Sequence, residues 1–82
     1  MATTVEREAI CAQVASALRD ERQRQGLSLN VVAERSGLSR QMVSYIEQQK
    51  RNPTLETLLR LTDTLGVQLE KLIGEARQRA KG

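Results

Sequence analysis

Five polar residues, Arg40, Gln41, Ser44, Tyr45 and Gln48, follow one another at spacings of one, three, one and three. On a helix that rhythm gathers them on one side. They offer a guanidinium, two carboxamides and two hydroxyls, groups suited to hydrogen bonding with a partner rather than to making and breaking bonds. The chain has no histidine and one cysteine, Cys11. It shows no paired-carboxylate frame, no phosphate-binding glycine loop and no cysteine cluster with metal-ligand spacing. Catalysis is therefore not expected, nor any cofactor, metal or small-molecule ligand. An intrachain disulfide is impossible.

A recognising face needs anchors behind it, and the neighbouring residues supply them. Val43 and Ile46 alternate with the polar set and point the other way. Ser39 is placed to cap the helix, and Leu38 to staple against Val43. The same construction precedes it: Ser28 as cap, Leu27 stapled to Val32, and a helix over residues 29–36. Ala33 is small enough to let a neighbouring helix approach closely, and Gly37 ends that helix. Residues 33–50, AERSGLSRQMVSYIEQQK, thus read as two short helices meeting at a sharp corner.

The rest of the chain supports that corner. Eighty-two residues make one small domain, near the size at which a single core only just offsets chain entropy. Its 39% apolar and 28% charged content suits a helical globular domain, and with one aromatic residue the core must be aliphatic. Thr3 and Glu6 form a capping box for a first helix over residues 4–25, about 33 Å long. Ile10, Val14, Ala17 and Leu18 make its stripe, Gly26 its left-handed stop, and its first two turns should project or pack separately. Cys11 reads as a small, partly buried helix residue with no redox role.

Pro53 and Thr54 open a fourth helix in which Leu55, Leu58, Leu59, Thr62 and Leu65 share the inward face before Gly66 closes it. Val67, Leu69, Leu72 and Ile73 drive a short fifth helix that Gly74 weakens. The basic tail over residues 74–82, with Arg77, Arg79 and Lys81, then frays or continues as a solvated helix. No internal repeat, linker, secretion signal or long apolar run is present, which points to the cytoplasm and away from a membrane. The net charge of +3 suits an anionic partner.

Residues 26–47, GLSLNVVAERSGLSRQMVSYIE, followed by residues 50–67, KRNPTLETLLRLTDTLGV, resemble the Cro/C1-type helix-turn-helix (XRE-like) domain of phage repressors and bacterial regulators. The similarity runs over residues 14–73. It leaves residues 1–13 as an extension of the first helix and residues 74–82 as a tail. The resemblance implies an all-α, five-helix, lambda-repressor-like bundle whose second and third helices form the helix-turn-helix. It further implies sequence-specific binding of double-stranded DNA, with the third helix in the major groove, where each base pair shows its own donor and acceptor pattern.

By position, Arg40, Gln41, Ser44 and Tyr45 then meet bases. Ser28, Leu29, Ser39, Gln48, Lys50, Arg51 and Asn52 meet phosphates. Bland alternatives are a solvated helix face at Arg40 and Gln41, a core edge at Tyr45, and a solvated loop at Lys50 and Arg51. Family members often pair an arginine of the first helix with a glutamate late in the third, here Arg22 and Glu47, to steady the reading helix. Beyond its N-terminal extension, which exceeds the minimal domain, the chain departs from the pattern twice. Leu29 stands where the family commonly has a phosphate-clamping glutamine, and Gln49 where it commonly has a glycine.

Two functional readings follow. In the first, the protein is a small transcriptional regulator, probing a pseudo-palindromic operator as a homodimer with half-sites about 34 Å apart. Residues 69–80 and the early first helix would supply the interface, and dosage or a separate partner the control. In the second, the protein is an antitoxin or bridging-type helical module whose main partner is a protein. An exposed apolar patch on the first or fifth helix would favour that second reading.

Overall fold

The computed structural model describes residues 3–81, so Met1, Ala2 and Gly82, the ends of the expected extension and tail, lie outside the described residues. The described chain forms α1 (Thr4–Arg24), α2 (Leu29–Ser36), α3 (Arg40–Glu47), α4 (Leu55–Leu65) and α5 (Leu69–Lys81), with no strand among the described residues. This is the all-α, five-helix architecture expected. Its extents are 36 × 21 × 19 Å, the long dimension being close to that of α1 alone.

Side-chain hydroxyls start four of these helices. Thr3, Ser28, Ser39 and Thr54 each accept the backbone N–H of the third residue onward, at Glu6, Val31, Met42 and Thr57. Each such cap satisfies one of the amides that a helix start leaves without a partner. Gly37 and Gly66 close α2 and α4 in the left-handed conformation, with φ of 75° and 71°. At both, the following residue donates back into the helix, Leu38 to Ala33 and Val67 to Thr62, each at 3.0 Å.

All five helices contribute to the core: α1 packs along α5 and against α3 and α4, and α2 packs against α3 and α4. Leu18, Val32, Val43, Ile46, Leu61, Leu65, Leu72 and Ala76 are buried together, and Leu27 and Leu38 pack against them as the two staples. Two polar residues are buried as well: Ser36, whose hydroxyl donates to the Ala33 carbonyl at 3.2 Å, and Thr62. Thr62 is 1% exposed, and its hydroxyl donates to the carbonyls of Leu58 and Leu59, so its burial leaves no hydrogen-bonding group unmet.

Four expectations need correction. α1 ends at Arg24, with Gln25 as a right-handed cap and the left-handed turn following at Gly26, φ 69°. Cys11 is exposed, because it follows Ile10 directly and so lies about 100° round the helix from the Ile10, Val14 and Leu18 stripe. In α4, Leu55 and Leu59 are 65% and 44% exposed, while Leu61 is 2% exposed. The buried face there is Leu58, Leu61, Thr62 and Leu65, a 3-1-3 spacing that fits the helical period better than one centred on Leu55 and Leu59.

The fourth correction concerns α5. The helix runs through Gly74 to Lys81, and Ala76, inside the expected tail, is 2% exposed. α5 lies along α1, and a methyl side chain at the contact lets the two helices approach closely. Packing outweighs the roughly 1 kcal/mol that a mid-helix glycine costs. The first turns of α1 do project: residues 3–8 are exposed, with Val5 at 75%.

Candidate nucleic-acid interface

α3 is fixed from behind by its two buried residues, Val43 and Ile46, each 1% exposed. Its N-terminus is set by the Ser39 cap, whose Oγ accepts the Met42 N–H at 3.0 Å, and by the corner at Gly37. A Cβ at Gly37 would sit 2.9 Å from Arg60 Nη1, and the positive φ strains any other residue there. Arg60 crosses from α4 to donate to the Ser36 carbonyl at 3.3 Å, bracing the end of α2 from outside.

The C-terminal half of α3 is clamped to α1. Arg22 Nε and Nη2 donate to Glu47 Oε2 and Oε1 at 2.7 and 2.9 Å, while Nη1 donates to the Leu27 carbonyl at 2.9 Å. One guanidinium thus ties together α1, the loop before α2, and α3. The hydrogen bonds from Arg22 to Glu47 hold the guanidinium pKa above its usual value, against the opposing effect of burial. Beyond Glu47 the chain turns through Gln49, the sole non-glycine residue with positive φ (62°) among those described. Gln49 N–H donates to Ile46 and Lys50 N–H to Tyr45, so the left-handed closure forms without the glycine.

The outer face carries the polar set. Arg40 and Gln41 are exposed, and Ser44 and Tyr45 half-buried. Gln41 Nε2 donates to Tyr45 Oη at 2.8 Å, and Gln48 Nε2 to Ser44 Oγ at 2.7 Å. Lys50 Nζ lies 5.8 Å from the centroid of the Tyr45 ring, within cation-π range. Lys50, Arg51 and Asn52 are exposed beside this face, and Arg51 Nη1 lies 3.9 Å from Met42 Sδ. The ion pairs among the described residues join Arg22 to Glu47, Arg24 to Glu21 and Arg60 to Glu56. Arg40, Lys50 and Arg51 enter none of them, so this face presents positive charge without a carboxylate to neutralise it.

Two positions of α2 flank the same region. Ser28 is exposed, its Oγ accepting the Val31 N–H while its own O–H stays available to donate. Leu29 is half-buried and packs on the core, which gives its apolar side chain a structural use and leaves only its backbone amide for a polar contact. Three supporting residues escaped the sequence reading. They are Arg60, Met42 and Gln25, whose Nε2 donates to the Leu65 carbonyl at 2.6 Å and joins the ends of α1 and α4. The one sequence hint was the spacing of Glu56 and Arg60, which form an i,i+4 pair at 3.0 Å.

Among the described residues no group of three or more histidine, cysteine, aspartate or glutamate side chains could hold a metal ion. Among the same residues no helix is long and apolar enough to cross a membrane.

Comparison with known proteins agrees with this geometry. The HTH-type transcriptional regulator PuuR of Escherichia coli (strain K12) is 41% identical over 58 residues, which are 71% of this chain and 31% of that protein. The chain thus spans about a third of the length of that relative. A second relative, the uncharacterized HTH-type transcriptional regulator y4dJ of Sinorhizobium fredii (strain NBRC 101917 / NGR234), is 42% identical over 52 residues, 63% of this chain and 68% of that protein. The family model for the Helix-turn-helix domain matches residues 18–72, from the middle of α1 into α5, and by that match the chain belongs to the helix-turn-helix family of the Cro/C1 type.

Proposed function

We propose that the chain is a sequence-specific, double-stranded DNA-binding module of a small transcriptional regulator, with α3 as the helix that enters the major groove. One observation carries this reading: a hydrogen-bonding face of Arg40, Gln41, Ser44 and Tyr45, flanked by Lys50 and Arg51, which enter no ion pair among the described residues, stands on a helix clamped by Arg22 and Glu47. Arg40 and Gln41 occupy the first turn of α3, the end from which side chains reach base edges. Arg40 suits guanine O6 and N7, and Gln41 suits adenine N6 and N7.

Phosphate contacts fall to Ser28, Ser39, Gln48, Lys50, Arg51 and Asn52, and to the backbone amide of Leu29. Ser28 and Ser39 serve as caps through an oxygen lone pair and keep a hydroxyl proton for an anion. Without the glutamine side chain common at position 29, affinity rests more heavily on the basic loop. The work of such a module belongs in the cytoplasm, where the DNA is.

The module acts as a homodimer, which doubles the few base pairs that one α3 can read. α5 uses Leu72 and Ala76 against α1, so a second copy would meet α5 on its other sides together with the projecting start of α1. The competing reading, a module whose main partner is another protein, draws on the exposed apolar side chains Val5, Leu55 and Leu59. Selection of bound sequences from random duplex DNA tests the DNA reading, its site and its symmetry together. Enrichment of an inverted repeat supports it, and no enrichment at low salt sinks it.

A further inference from the structure

Gln41 and Tyr45 stand one turn apart on α3, and Gln41 Nε2 donates to Tyr45 Oη at 2.8 Å. The acceptor is itself held in place. Tyr45 is half-buried, the Lys50 ammonium lies 5.8 Å from its ring centroid, and the Lys50 N–H closes on the Tyr45 carbonyl at 2.9 Å. A carboxamide has two N–H donors and a carbonyl acceptor, and a half-turn about its last side-chain bond exchanges the two ends. A phenol hydroxyl can accept from the nitrogen or donate to the oxygen; here it accepts from the nitrogen. With the nitrogen turned to the phenol, Gln41 has one N–H and Oε1 left to present outward.

We propose that Tyr45 is a positioning residue that sets sequence specificity: by holding the amide nitrogen of Gln41, it commits Gln41 to adenine over guanine. In the major groove adenine offers the N7 acceptor and the N6 donor, which match the remaining donor and acceptor of Gln41. Guanine offers two acceptors, N7 and O6, so Gln41 Oε1 would face O6 with no proton between them. The discrimination arises from the orientation of Gln41, and Tyr45 need not touch a base to cause it. Its phenol accepts from Gln41 and keeps its own proton for a further contact.

The proposal rests on the reading that α3 enters the major groove. The test is selection from random duplex DNA with the wild-type chain, Gln41→Ala, Tyr45→Phe and the double variant, each checked for folding by thermal melting. Gln41→Ala marks the base pair that Gln41 reads, as the position where preference disappears. The expected result is adenine there for the wild type. Tyr45→Phe should lower the adenine-over-guanine preference at that same pair by about fivefold or more, the worth of one hydrogen bond. In the double variant the phenylalanine should add nothing at that pair.

Guanine preferred by the wild type at that pair overturns the proposal without recourse to any variant. So does an unchanged preference in Tyr45→Phe, or a change at a different pair, which would mean that Tyr45 reads a base of its own. Those outcomes leave DNA binding intact. A wild-type chain that enriches no site overturns the DNA reading and this proposal with it.

Discussion

Arg22 and Glu47, 25 residues apart in sequence, meet in a two-point ion pair at 2.7 and 2.9 Å, with side chains only 13% and 8% exposed. Losing one partner would strand a poorly solvated charge on the other. Arg22→Ala or Glu47→Ala should therefore cost about 3 kcal/mol, more than either loses at an exposed site. Replacing both by apolar residues of similar size should recover much of the loss, since the desolvation cost goes with the charges. Urea unfolding of the two single variants and the double variant checks this. Equal and additive losses would show that the pair is no unit.

Gln49 holds φ at 62°, a conformation that costs a side-chain-bearing residue about 1–2 kcal/mol relative to glycine. Gln49→Gly should relieve much of that, less the extra entropy of the unfolded chain, and raise the midpoint of thermal unfolding by a few degrees. Gly37→Ala should do the opposite, through its own φ of 75° and the Arg60 guanidinium beside it. Calorimetry of the two variants reads both effects. A Gln49→Gly chain no more stable than wild type would mean that the glutamine side chain offsets the strain.

Much of the corner between α2 and α3 was legible in the sequence. Ser28, Ser39, Leu27, Leu38 and Gly37 announce caps, staples and a corner by residue type alone, and the structure uses all of them so. α4 was misread because its leucines occur on two sides at once. Leu55, Leu58, Leu59 and Leu61 allow two overlapping stripes, and only packing into the shared core selects Leu61. The length of α5 was hidden for a similar reason: no local feature announces that α1 will cover Ala76. On the outer face, residue types place Gln41 and Tyr45 together, but the direction of their hydrogen bond required coordinates.

That register makes a stability prediction. Leu61→Ala should cost about 2–5 kcal/mol, the range for a leucine truncated in a closed core. Leu59→Ala, at an exposed site, should stay within about 0.5 kcal/mol of wild type. Chemical denaturation separates the two. If Leu59→Ala proves equally costly while size-exclusion shows a dimer falling to a monomer, Leu59 belongs to an interface between copies.

Glu21 accepts hydrogen bonds from Arg24 and Gln25, which lower its pKa from 4.5 to about 2. A depressed carboxyl stabilises the fold above its unfolded value and loses that contribution as pH falls through the folded one. The window is thus about pH 4.5 down to 2, and the effect is small because water screens the site. Carboxyl chemical shifts followed by NMR should show Glu21 still ionised where the other carboxylates have begun to protonate. In Arg24→Ala its midpoint should rise toward the ordinary range, Arg24 being the larger of the two causes.

The proposed division between base-reading and phosphate-holding residues separates two kinds of mutant. Arg40 lies in the first turn of α3 and enters no ion pair among the described residues, so its guanidinium is available for a bidentate contact with guanine. Arg40→Ala should flatten preference at one base pair, a loss of about 1–3 kcal/mol for the preferred base and little for the others. Lys50 and Arg51 sit in the loop after α3, and in the proposed function they meet the DNA backbone, which is the same at every sequence. Lys50→Ala or Arg51→Ala should weaken specific and non-specific DNA alike, and each should reduce the slope of log affinity against log salt by about 0.9. Binding titrations at several salt concentrations, on the selected site and on a scrambled duplex, distinguish the two patterns. Uniform loss across both duplexes for Arg40→Ala would move that residue from the bases to the phosphates, leaving Gln41 alone at the N-terminal end of the reading face.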